Sequence, residues 1–112
     1  MDKSEALAAV STFSDAIRAT YEPVKVVLYG SYARGDQQHG SDIDVAVIVE
    51  QVNGDYLDAE AGLYRIRREI DTRIEPVLLE MGADRSGFLE AVLRTGEVVY
   101  ERAAADAPRS VQ

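Results

Sequence analysis

The sequence predicts a small α/β (α+β) domain, a mixed β-sheet flanked by helices, and three observations predict it. Two apolar, β-branched runs, at Val24–Tyr29 and Ile43–Val49, read as strands and bracket a polar loop that opens on Gly30-Ser31. On either side of that pair, apolar residues recur every three or four positions, the period of a helix lying on a sheet. The 112 residues, 46% hydrophobic and 29% charged, are enough chain for one core. The expected organisation is a single domain over 1–102 and a flexible C-terminal tail over 103–112, where little is available to bury.

The first helix carries Leu7, Val10, Phe13, Ile17 and Tyr21 on one stripe, with Ser4 as its expected cap and Glu22-Pro23 as its stop, because proline pushes its predecessor out of the α region. The first strand follows, from about Val24 to Tyr29. Between Gly30 and Ser41 the residues are small or polar, and Tyr32-Ala33-Arg34 has room for one short helical turn. The second strand is nearly continuous in apolar residues, so both faces are expected to be covered and the strand to be central. Asp55 is placed to cap a second helix with Tyr56, Ala59, Leu63, Ile66 and Ile70 inward; Arg65, Arg67 and Arg68 read as its solvated face. A third strand spans about Thr72 to Leu79, where Pro76, having no N–H for a ladder, argues against a fully paired interior position. Gly82 marks a turn. A last helix places Phe88, Leu89, Val92 and Leu93 inward with Gly96 at its C-cap, and Glu97–Tyr100 reads as a short final strand.

The chemistry concentrates in the loop. Gly30-Ser31, directly after a buried strand, presents backbone N–H groups and a hydroxyl where phosphate-binding turns sit in α/β folds. Asp42 and Asp44 fall on one side of the next strand, because side chains alternate faces with a period of two. Two carboxylates a pleat apart make a ligand pair for a hard divalent cation such as Mg2+. A phosphate cradle beside a metal pair points to nucleotide chemistry.

Composition removes several alternatives. Without cysteine there is no disulfide framework, thiolate zinc site or cysteine nucleophile, and the single His39 forms no histidine cluster and reads as a loop residue. Any metal is therefore left to carboxylates. A net charge of −8 argues against direct binding of nucleic acid or an anionic membrane, while leaving room for a nucleotide carried in as a metal complex. No apolar run approaches the roughly 20 residues that span a bilayer, the first residues lack a signal-peptide pattern, and a cytoplasmic location is expected. Tyr21, Tyr56, Tyr64 and Tyr100 read as core or interface packing.

The order strand, Gly30-Ser31, ten residues, Asp42-x-Asp44, strand resembles the signature of the polymerase-β-type nucleotidyltransferase superfamily. The fuller form GSYARG…SDID is most similar to its minimal nucleotidyltransferase branch, which includes MntA-like antitoxins, the partners of HEPN-domain toxins, some of which adenylylate the toxin. The resemblance covers about Val24 to Leu79 and implies a nucleotidyltransferase core. It implies that Gly30 lets the backbone approach the triphosphate of ATP, that Ser31 binds the terminal phosphates, and that Asp42 and Asp44 hold two Mg2+ ions. It also implies a third carboxylate on the neighbouring strand, a ligand of the acceptor-side metal that helps deprotonate the attacking hydroxyl. Glu75 is the candidate; family members often carry aspartate here, and Asp71 shares its parity but stands at the helix-to-strand junction. Arg34 is placed to contact phosphate.

Three functions follow from this resemblance. The first is Mg2+-dependent transfer of AMP from ATP to a hydroxyl, a tyrosine in the family pattern, of a HEPN-type RNase toxin with which the chain forms a hetero-oligomer. The second is nucleotidyl transfer to a small molecule, as in aminoglycoside-modifying relatives. The third is a non-catalytic antitoxin that neutralises its partner by binding. Small-molecule enzymes of this type usually add a second domain to complete the acceptor pocket, so the acceptor is expected on another polypeptide.

Overall fold

Two aspartates open the longer helices. In the computed structural model, which describes residues 1–84 and 86–103, helix α1 (Lys3–Tyr21) is capped by Asp2 and not by Ser4. The Asp2 carboxylate accepts from the Glu5 N–H at 2.8 Å and the Asp2 N–H donates back to Glu5 Oε1 at 3.2 Å, a reciprocal capping box that places Ser4 inside the first turn. Glu22, in the left-handed region at φ 48°, ends the helix as the following proline requires. Then come β1 (Lys25–Tyr29), the single-turn α2 (Ser31–Arg34), β2 (Ile43–Val49) and α3 (Tyr56–Arg67). Asp55 caps α3 by accepting from the Asp58 N–H at 3.1 Å. The chain continues through β3 (Ile74–Glu80), α4 (Phe88–Thr95) and β4 (Glu97–Glu101), and all but Ala103 of the tail expected over 103–112 lies outside the described residues.

The four strands form one mixed sheet in the order β3-β2-β1-β4. β1 runs antiparallel to both β2 and β4, and β2 runs parallel to β3. β2 is therefore interior, as its apolar run predicts. One face joins Val26, Leu28, Ile43, Val45 and Val47 to Phe13 and Ile17 of α1 and Leu63 of α3. The other face sets Val27, Ala46 and Ile48 under Leu89 and Val92 of α4. Each fully buried Val, Leu, Ile or Phe among these contributes about 1.5–3 kcal/mol relative to an exposed one.

Pro76 lies in edge strand β3, where a missing N–H breaks no interior ladder. α3 covers part of that edge: Glu60 accepts from the Leu78 N–H at 3.4 Å and the Tyr56 hydroxyl donates to the Leu78 carbonyl, so Tyr56 seals a strand edge and is not core packing. Gly96 is the C-cap of α4, but at φ −84° it is not a left-handed cap. A Cβ there would stand 2.5 Å from Val27 Cγ1 and 2.9 Å from the Leu28 carbonyl oxygen, so the position is small because α4 turns into β4 directly against β1. Among the described residues no helix is long and apolar enough to cross a membrane.

Candidate active site

Strand register assembles the site. Tyr29 at the end of β1 pairs with Asp44 near the start of β2, and Asp44 pairs with Glu75 near the start of β3. Partners directly opposite in a sheet project to the same face, so Tyr29, Asp44 and Glu75 form one row across three strands. The row lies on the α4 side of the sheet, where Tyr29, Val77 and Leu79 also pack. Beside it is an open pocket of about 410 Å³, walled by Tyr29, Gly30, Ser31, Arg34 and Asp44 on one side and by α4 from Phe88 to Thr95 on the other. Phe88 meets the Tyr29 ring edge-on, with centroids 5.5 Å apart and planes at 83°.

Gly30 makes the close approach possible. Its φ of 76° and ψ of −150° belong to a region that side chains rarely adopt, and a Cβ would stand 2.3 Å from Asp44 Oδ2. The turn is then closed by the Arg34 N–H donating to the Gly30 carbonyl at 3.1 Å and the Gly35 N–H donating to the Ser31 carbonyl at 2.9 Å. Ser31 thus enters the pocket wall from the first position of α2.

The electrostatics bind the same residues together. Burial holds the Asp44 carboxyl above its usual range; the charges of Asp42 and Glu75 push it further and Arg34 opposes them. Burial, with Asp44, Tyr64 and Glu75 nearby, pushes the Tyr29 hydroxyl up to about 12. Asp42, exposed in the loop just before β2, is therefore within electrostatic range of Asp44. This donor set is all oxygen, and crowded carboxylates are relieved by a cation among them, so the residues suit a hard ion such as Mg2+. Among the described residues, no three side chains of His, Cys, Asp or Glu already close into a metal cage. Glu75 Oε2 instead accepts from the Tyr64 hydroxyl of α3 at 3.2 Å.

Asp71 stays at the helix-to-strand junction. Its Oδ1 accepts from the Arg73 N–H at 2.9 Å and Nε at 3.0 Å, and its Oδ2 from Nη2 at 2.8 Å. Those hydrogen bonds hold its carboxyl below the usual range. Arg34 is exposed and pairs with Asp36 at 3.1 Å, its guanidinium still bordering the pocket. His39 is exposed in a loop around a separate polar hollow of about 450 Å³ whose walls include none of these carboxylates. A smaller cleft of about 200 Å³, between Tyr21, Val49 and Leu78, lies at the other end of β2.

Three site residues escape sequence reasoning. Tyr29 was legible only as a strand residue, although hairpin parity with Asp44 marks it; Phe88 is half-exposed beside the pocket and not fully inward. Tyr64 reads as packing, and no local signal joins it to Glu75, because the contact depends on where α3 lies against β3.

Comparison with known proteins shows the family and the fold. The family model described as polymerase beta, nucleotidyltransferase matches residues 13–105. A Methanocaldococcus jannaschii protein, provisionally named a protein adenylyltransferase, is 43% identical over 51 residues, which are 44% of this chain and 50% of the relative, so the match spans about half of that protein's length. Among solved structures, a provisionally named nucleotidyltransferase from Sulfolobus solfataricus superposes with a TM-score of 0.67 at 18% identity, covering 89% of this chain and 84% of that one. A toxin–antitoxin complex with AMP-PNP gives 0.61 at 21% identity, covering 86% and 77%. A mutant of the toxin–antitoxin pair MntA–HpeT gives 0.58 at 19% identity, covering 95% and 78%. At these identities the structural likeness shows the fold.

Proposed function

The chain belongs to the polymerase beta nucleotidyltransferase family, and on that premise we propose that it is a Mg2+-dependent adenylyltransferase acting on a partner protein. The reaction is transfer of AMP from ATP to a side-chain hydroxyl, a tyrosine, of a HEPN-type RNase toxin, which the modification restrains. The observation that carries the reading is the Asp44–Glu75 pair in register, with Asp44 seated on the Gly30 turn at the mouth of an open pocket. The protein adenylyltransferase name of the archaeal relative supports AMP as the transferred group, and the toxin–antitoxin complexes among the fold neighbours support a protein acceptor.

Each residue then has a task. Gly30 leaves the backbone open to the triphosphate, and Ser31 offers its hydroxyl to the outer phosphates. Asp42, Asp44 and Glu75 would hold two Mg2+ ions, which when bound supply charge relief at the α-phosphate and the departing pyrophosphate. Glu75, at the edge of the row, takes the proton of the acceptor hydroxyl. Arg34 faces phosphate charge, and the Tyr29–Phe88 pair walls the α4 side of the pocket. The adduct adds bulk and negative charge where an RNase must meet a phosphate backbone, so it opposes RNA binding.

The test mixes the purified chain, the protein encoded beside it, ATP and Mg2+, then measures the partner's intact mass and RNase activity. A mass gain of one or more AMP units with loss of RNase activity is the expected result. Inhibition without a mass change, equal for wild type and Asp42→Asn, would identify a neutraliser that works by contact.

A further inference from the structure

We propose that Tyr64 is a built-in acceptor: without a partner, the chain transfers AMP to its own Tyr64 hydroxyl. The inference rests on the adenylyltransferase reading above and adds a modification site on this chain. Its basis is position. Transfer to a tyrosine needs a phenol hydroxyl at the carboxylate that removes its proton, and the Tyr64 hydroxyl already donates to Glu75 Oε2 at 3.2 Å. Glu75 is the in-register neighbour of Asp44, so the phenol stands one strand away from the carboxylate seated on the phosphate turn. No other tyrosine is placed the same way among the described residues: Tyr29 is packed beneath Phe88, and the Tyr56 hydroxyl is committed to Glu60 and the Leu78 carbonyl.

The surroundings suit an adduct. Tyr64 is only half-buried, so an attached nucleotide has a route to solvent. The Arg67 guanidinium lies over the Tyr64 ring at 5.1 Å from its centroid, close enough to meet the phosphodiester charge that the adduct introduces. In the step itself the phenol oxygen forms a bond to the α-phosphorus, the bond from that phosphorus to the bridging oxygen breaks, and pyrophosphate leaves with the electron pair. The phenol proton passes to Glu75. An incoming partner hydroxyl must take the place Tyr64 occupies at Glu75, so a chain modified at Tyr64 is slowed toward its partner.

The experiment incubates the purified full chain with ATP and Mg2+ and no partner, then reads intact mass and maps the modified peptide. One AMP per chain is expected, on the peptide containing Tyr64, at a rate unchanged by dilution because the reaction is intramolecular. Tyr64→Phe and Asp44→Asn both lose the adduct, the first while retaining nucleotide binding. A chain that modifies its partner but gains no mass itself, or gains it at another residue, overturns this inference and leaves the adenylyltransferase reading standing. Tyr64→Phe that merely slows transfer to the partner, with no self-adduct in wild type, assigns Tyr64 to positioning Glu75. Absence of any adduct on either protein overturns both.

Discussion

Gly30, Asp44 and Glu75 have environments that make separate tests possible. Because a Cβ at Gly30 would stand 2.3 Å from Asp44 Oδ2, Gly30→Ala displaces the carboxylate as well as straining the turn, at a cost of order 1–3 kcal/mol. Transfer should be lost in a variant that still folds, checked by thermal melting and intact-mass assay together. Asp44 offers a pH test. Its carboxyl is raised on folding, so the folded state holds the proton more tightly; its stabilising contribution is full below the unfolded pKa of about 3.9 and is lost as pH rises through the higher folded value. Asp44→Asn should therefore raise Tm at neutral pH without metal, and the gain should vanish below pH about 4. Added Mg2+ should stabilise wild type and leave Asp44→Asn unmoved. Glu75→Gln should lower kcat by roughly 10²–10⁴ with nucleotide affinity retained, because the residue acts on the acceptor proton. Asp71→Asn breaks the clamp on Arg73, so it should lower Tm and leave transfer near wild type. The reverse pattern would make Asp71 the third carboxylate.

Elements were legible where one period dominates. The apolar run of β2, the polar loop before it and the Pro76 edge strand all follow from local chemistry, and the spacing from Gly30-Ser31 to Asp42-x-Asp44 points to the turn and strand start where Asp44 meets Gly30. Competition between equivalent signals was not resolved locally. Asp2 and Ser4 are both good caps, and what selects Asp2 is Glu5 three residues on, which returns the hydrogen bond. Asp2→Ala should cost about 1 kcal/mol, read as a fall in Tm, while Ser4→Ala costs little. Gly96 is the C-cap its position signals, but the reason it is glycine is not local. Its place after α4 signals a left-handed cap, yet it is required by the approach of β1, so even Ala, which its φ permits, should destabilise by about 1–3 kcal/mol in denaturant unfolding. The Tyr64 contact with Glu75 is not local either, since it joins α3 to β3 through the packing of the whole sheet.

At the scale of the molecule, charge and topology point the same way. A net charge of −8 discourages direct contact with RNA, while at one end of the sheet Asp44 sits on the Gly30 turn with Glu75 opposite it in register and Asp42 within electrostatic range. The central claim is that the transferred group is AMP and that the carboxylate row transfers it. The direct measurement supplies ATP labelled at either the α- or the γ-phosphate to the chain, its neighbour-encoded partner and Mg2+, and follows label onto protein. The account predicts α-label on protein, none from the γ-phosphate, and neither with Asp44→Asn. Transfer of the γ-label, or α-label that persists in Asp44→Asn, would contradict it.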